Sequence, residues 1–466
     1  MPERKFFSLA ACIIVCFILV QSRISYFGFG TKEFKVTTWD ALGYYMYLPA
    51  IFIYHDATQL KWLEEVDKKY GVSGGKVYQV RKCDNGNYVF KYLGGVALLE
   101  LPSFIIAHWM AHPLGYEADG FSSPYQYAVS IGVLLWFMLS VFLLRKILLR
   151  YFSDVTTAAT LLLLILASNI IQYAAIDNAQ SHGPIFPLYV FVLFTTLKWH
   201  EKNSAYYASL TGFIIGLATI CRPTEAIMIL IPLLWNTNNK EAAKVKWKMI
   251  KENRKDIFLF VLSAFIGILP QLVYWKIVTG SFIYDVGSKW DFANPWWRVL
   301  FGWEKGWFIY TPVALLFVIG FFFMNQYPFK KSVLYFCLLN VYIIISWHDW
   351  RYGGSYSVRA LSHSYPVFAL PLAAFIEKIN LTKWRVIFYG LGIYLIAVNL
   401  FQVKQYNQTI LHFNDMNRKY YARIYLNSSP TPLDMSLLDH DEFINDESEY
   451  KSEMIAETDS STVVNA

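Results

Sequence analysis

Apolar runs of about 15 to 23 residues recur from Phe6 to Val403, each near the length at which a helix crosses a hydrocarbon core of about 30 Å. A chain built this way has few folds open to it, because backbone inside a bilayer must satisfy its own hydrogen bonds. Composition agrees. Of the 466 residues, 56% are hydrophobic and 16% charged, against about 25% charged in soluble domains, which argues against a soluble enzyme.

The first run, about 6 to 20, follows Arg4-Lys5 as the core of a signal peptide would. No small-x-small cleavage site comes after it, so it is read as the first span. Further spans read as about 125–144, 155–175, 184–199, 205–221, 223–235, 257–279, 308–325, 332–347, 364–377 and 386–403. Eleven crossings put Arg145, Lys146, Arg150, the segment 240–255 with its seven Lys/Arg, Lys330, Lys331, Lys378, Lys383 and Arg385 on one face. That is the positive-inside pattern. The excess of 41 Lys+Arg over 34 Asp+Glu therefore reports orientation, not affinity for nucleic acid.

The opposite face receives the loops 26–124, 176–183, 280–307 and 348–363, and the tail after about 404. Counting Leu93 to Met110 as a span would break this parity, so it is read as an interfacial helix, as is Trp39 to Tyr54. The expected fold is an all-α integral membrane protein of about eleven transmembrane helices, with a long first outer loop carrying interfacial helices. Residues 1–403 form the membrane domain. The tail 404–466 is expected to be acidic and disordered from about 430, since Asp434 to Asp459 holds ten acids and one lysine. Cys12, Cys16, Cys83, Cys221 and Cys337 show neither metal spacing nor a disulfide framework and are read as structural.

Ionisable residues beside a membrane are costly, so those gathered on one face are functional candidates. On the outer face these are Asp40, His55, Asp56, Lys91, Asp177, His182, Arg222, Lys289, Asp291, Arg298, Glu304, Lys305, His348, Asp349, Arg351 and Arg359. Carboxylates offer a base for a hydroxyl or amine, while Arg and Lys hold a phosphate leaving group. The mixture suits transfer from a phosphorylated lipid. Each candidate has a bland competitor: Asp40 as a helix N-cap, Asp177 as part of a polar turn ahead of Pro184, Arg351 and Arg359 as contacts to lipid headgroups. Arg351 and Arg359 flank Gly353-Gly354-Ser355-Tyr356-Ser357, where glycines admit a ligand close to backbone. His182, His348 and His363 lack convincing metal-ligand spacing, so no cofactor is required, and a divalent metal is left open without being indicated.

Taken in order, these features resemble the GT-C superfamily of polyprenyl-phosphate-sugar glycosyltransferases, in the bacterial branch related to protein O-mannosyltransferases and the lipid A aminoarabinose transferase. The motifs that carry the resemblance are Asp40 after the first span, Asp177 ahead of Ser181-His182, Arg222-Pro223-Thr224, Gly306 to Pro312, and Gly353 to Arg359. The resemblance implies catalytic roles for Asp40 and Asp177. It also implies phosphate contact by Lys91, although Tyr92-Leu93 follows where that branch has prolines, and Asp40-Ala41 stands where mannosyltransferase members carry Asp-Glu.

The reading that follows is a transferase in the cytoplasmic membrane with its site facing the periplasm or exterior. It moves a sugar from a polyprenyl-phosphate donor to a lipid, glycan or protein acceptor, with membrane lipids as its surroundings. Asp40 and Asp177 are the catalytic candidates, and Lys91, His182, Arg222, Lys305, Arg351 and Arg359 the substrate-binding ones. A transporter or flippase would instead place paired charges at mid-span depth, often in inverted repeats. A polymerase or ligase acting on lipid-linked sugars would carry its large outer loop late in the chain.

Overall fold

The computed structural model describes residues 5–26, 28–31 and 33–438. Helix α1 (Phe6–Ser25) leads into the first loop. That loop holds α2 (Asp40–Tyr45), α3 (Tyr47–Phe52), α4 (Leu63–Tyr70), strands β1 (Val80–Lys82) and β2 (Tyr88–Phe90), and α5 (Gly95–Ala111). The next helices are α6 (Ser123–Leu148), α7 (Asp154–Leu166), α8 (His182–Lys202), α9 (Ala205–Cys221), α10 (Leu230–Leu234), α11 (Lys240–Glu252) and α12 (Arg254–Thr279). After a second loop come α13 (Arg298–Phe301), α14 (Trp307–Tyr310), α15 (Ala314–Gly320) and α16 (Lys330–Ile345). The chain continues through α17 (Arg359–Ser362), α18 (Tyr365–Ile379), α19 (Arg385–Asn407), α20 (Arg418–Ile424) and α21 (Pro432–Met435).

Among the described residues, α1, α6, α12 and α19 are each long and apolar enough to cross a membrane. The other apolar runs are helical in shorter pieces, and the breaks have local causes. The run 155–175 stops at Leu166 because Asn169 turns inward, its Nδ2 donating to Val358 O at 3.2 Å and its Oδ1 accepting from the Tyr365 hydroxyl at 2.7 Å. Helix resumes as a single π turn, Gln172–Ile176. Pro223 opens a 3₁₀ stretch ahead of α10, and Pro312 separates α14 from α15. The single surface helix expected over Trp39 to Tyr54 is two short ones, divided at Met46.

The expectation of an all-α chain needs correction. β1 and β2 pair antiparallel with Val80 opposite Phe90, closed by Asp84-Asn85-Gly86 with Gly86 at φ +85°. That turn chemistry is a hairpin signal in the sequence. Asn85 and Asn87 each donate to Val278 O at 2.8 Å, which anchors the hairpin to the end of α12. At the start of the acidic tail Pro432–Met435 is helical, with a Thr431–Asp434 capping box and an Arg423–Asp434 ion pair at 2.9 Å. The rest of the acidic segment lies outside the described residues.

Small residues set the tightest helix crossing. A Cβ on Gly212 or Gly216 of α9 would lie 2.1 Å from the Phe260 or Ala264 carbonyl oxygen of α12. Such stripes let helix backbones approach where lipid offers no hydrophobic drive. Gly216→Leu is therefore expected to destabilise the protein by about 3 kcal/mol, since backbone must move to admit the side chain. Gly390→Ala on α19, where a Cβ meets nothing within 4 Å, is expected to be neutral or slightly stabilising. Thermal melts in detergent compare the two.

Candidate active site

Asp40 is the first residue of α2, yet it makes no side-chain cap bond to that helix. Its oxygens are taken by three other groups. Oδ1 accepts from the hydroxyls of Tyr92 at 2.6 Å and Tyr78 at 2.7 Å, and Oδ2 accepts from Arg359 Nη2 at 2.7 Å. Capping thus does not explain this acid. Tyr92 reaches it because residue 43 is glycine: a Cβ there would stand 2.1 Å from the Tyr92 ring. Burial pushes the Asp40 carboxyl up, but Arg359 and the tyrosine hydroxyls outweigh burial and hold it at about 2. Arg359 is correspondingly driven upward, because Asp40 outweighs the desolvation of the guanidinium.

The second nitrogen of the Arg359 fork donates to Gln180 Oε1 at 2.9 Å. Gln180 closes the turn that begins at Asp177, its amide donating to Asp177 O at 3.3 Å. The π turn delivers Asp177 to this position, where Oδ2 accepts from Gln172 Nε2 at 3.0 Å. Burial raises the Asp177 carboxyl despite Gln172, Arg23 and Arg359. Arg359 thus ties Asp40 through Gln180 to the backbone of Asp177, 137 positions away in sequence, and the environments of the two acids push their proton affinities in opposite directions.

The other expected site residues separate into two groups. Lys91 is exposed just beyond β2, its Nζ 5.7 Å from the ring of Tyr78, so it borders the Asp40 cluster. Arg222 ends α9 and lines a small cavity with Thr224, Trp290, Trp347, Tyr352 and His363. Lys305 is buried, and its Nζ donates to the carbonyls of Arg351, at 2.9 Å, and Gly353. Arg351 Nε donates to Glu304 at 3.2 Å. These contacts shape the loop that delivers Arg359, a loop holding Tyr352, Gly353 and Ser357 at positive φ. Burial pushes Glu304 up and Lys305 down.

His182 is also committed inside the protein. Its Nδ1 stands 2.9 Å from His363 Nδ1, and His363 Nε2 lies 3.0 Å from Glu225 Oε1, which also takes the Tyr189 hydroxyl on its other oxygen. Glu225, Tyr78, Tyr92, Gln180 and Arg23 were not singled out from sequence. Arg23 carried a signal, a cation in the last turn of an apolar helix, where it donates to Ile176 O at 2.5 Å and Tyr26 O at 3.1 Å. The tyrosines carried none. Among the described residues no group of three His, Cys, Asp or Glu is placed to hold a metal ion.

The family described as dolichyl-phosphate-mannose-protein mannosyltransferase matches residues 121–275. ArnT from Cupriavidus metallidurans in the apo state superposes with a TM-score of 0.51 at 12% identity, covering 90% of this chain and 67% of that one. The same protein bound to undecaprenyl phosphate gives 0.48 at 13% identity, covering 90% and 68%. No curated protein matches the sequence. The expected resemblance to polyprenyl-phosphate-sugar glycosyltransferases is borne out, and the fold is the mostly helical, ArnT-like membrane fold.

Proposed function

We propose that this chain is a membrane glycosyltransferase that moves a sugar from a polyprenyl-phosphate donor to an acceptor at the outer face of the cytoplasmic membrane. The observation that carries the reading is the Asp40–Arg359 pair, a carboxylate and a guanidinium 2.7 Å apart with two tyrosines on the carboxylate, linked through Gln180 to the backbone of Asp177. The family matched over residues 121–275 is described by a polyprenyl-phosphate-linked sugar donor and supports the same donor class.

The chemistry is an inverting displacement. An acceptor oxygen or nitrogen attacks the anomeric carbon, the bond from that carbon to the phosphate oxygen breaks, and the acceptor proton passes to Asp40. Asp177 orients sugar or acceptor, and Arg359, Arg222 and Lys91 take up the charge left on the phosphate. A carboxylate held at about 2 is a weak base while Arg359 neutralises it. Donor phosphate competes for Arg359, and Asp40 gains basicity as it loses that partner. Donor binding and base activation are thereby coupled through one guanidinium. Lys305, Arg351 and His182 position this machinery from behind.

The test is donor cleavage by the purified full chain in lipid nanodiscs supplied with polyprenyl-phosphate hexoses and pentoses. Release of polyprenyl phosphate is expected. Movement of the intact lipid-linked sugar across vesicles, without cleavage, would establish a flippase in its place.

A further inference from the structure

The residue ahead of Asp40 is Trp39, and its backbone stands at φ 54°, ψ −127°. A bulky aromatic seldom occupies positive φ, a region suited to glycine. The protein holds it there from three sides. The Trp39 amide donates to Val72 O at 3.1 Å, its carbonyl accepts from Gln79 Nε2 at 3.1 Å, and its indole lies on Gly74, where a Cβ would sit 2.5 Å from the ring. Despite these restraints the side chain is 58% exposed. A core role does not account for a large apolar ring left open, and a membrane anchor needs no strained backbone. Strain kept at such a position, immediately before a candidate base, points to a contact made with a ligand.

The direction of that contact follows from the site. Arg359 reaches Asp40 on Oδ2, whereas the first loop, which carries Trp39 next to Asp40, brings Tyr78 to Oδ1 with Lys91 5.7 Å from the Tyr78 ring. In an in-line displacement the leaving phosphate and the acceptor lie on opposite sides of the anomeric carbon. With the phosphate on the Arg359 side, the acceptor comes in over Trp39. An open indole face suits a saccharide ring, whose C–H face stacks on an aromatic surface while its hydroxyls meet polar groups.

We propose that Trp39 is the stacking platform of an acceptor subsite, and that the acceptor presents a sugar ring, as a glycolipid or glycan does, in preference to a protein side chain. The inference rests on the glycosyltransferase reading above for the placement of donor and acceptor.

The experiment is saturation-transfer NMR on the full-length protein in detergent, with methyl glycosides of mannose, N-acetylglucosamine and arabinose as probes. Transfer is expected to protons on one face of at least one ring. It should fall about fivefold to tenfold in Trp39→Ala, the size of one lost stacking contact, and be partly kept in Trp39→Phe. Trp39→Gly guards against misfolding, since glycine suits φ 54°: it should melt no lower than wild type and still lose the contact. Wild-type transfer in the Ala and Gly variants, no transfer to any glycoside in the wild type, or a loss of transfer that only tracks a lower melting temperature would each overturn the platform. Donor cleavage is a separate readout, so the platform and the transferase reading fail independently.

Discussion

Asp40→Asn is expected to lower sugar transfer about 10²- to 10⁴-fold, the range for removing a positioned general base. The amide still accepts both tyrosine hydroxyls through Oδ1, so Tyr78 and Tyr92 keep their places. What goes is the charge on the side facing Arg359, and with it the proton acceptor. The discriminating measurement is single-turnover transfer alongside donor binding. Binding should hold or tighten, because an unpaired Arg359 is freer to meet phosphate, while the chemical step collapses. Wild-type transfer by Asp40→Asn would remove this acid from the reaction.

Arg359→Ala is expected to lose donor binding and stability together. The pair is well shielded, with side-chain exposures of 12% and 21%, and deleting one partner of a largely buried pair strands the other at a cost of about 3 kcal/mol. Arg359→Lys should recover part of the stability and little of the binding. A point charge cannot span Asp40 and Gln180 as the guanidinium fork does, at 2.7 Å and 2.9 Å.

The pH dependence of stability separates the two partners. Asp40 is depressed from an ordinary 3.8 to about 2. Its contribution is therefore complete above the ordinary value and is lost as pH falls through about 2. In Arg359→Ala the stabilisation between those two values should vanish, which acid melts of the two proteins would reveal. Asp177, whose carboxyl is raised, is expected to add a loss of activity above that window as it takes up a proton. Asp177→Asn should therefore shift the acid limb of the activity profile without moving the Asp40 contribution to stability.

The membrane class was legible because its signal is local. A hydrophobic run either has the length of a bilayer or it does not, and cations gathered at the ends of such runs form a pattern that is read without any tertiary contact. Asp40, Asp177 and Arg359 were legible as candidates for the related reason that ionisable side chains at the ends of apolar helices need explaining. Breaks inside the runs were only partly legible. Pro223 and Pro312 announce themselves, whereas Asn169 stops α7 through carbonyls 187 and 189 positions away.

Roles within the site depended on convergence. Lys305 and Arg359 are alike as cations in loops, yet one is spent on backbone carbonyls 46 and 48 positions away and the other meets an acid 319 positions away. Tyr78 and Tyr92, two of 33 tyrosines, became distinctive only when the first loop folded them onto Asp40. By itself the sequence determined that the chain is a multi-span membrane protein and which faces of it are charged, since hydrophobic length and charge are properties of short segments. Which charges meet was decided by the tertiary structure alone, because a hydrogen bond of under 3 Å between residues hundreds of positions apart depends on the placement of every helix between them.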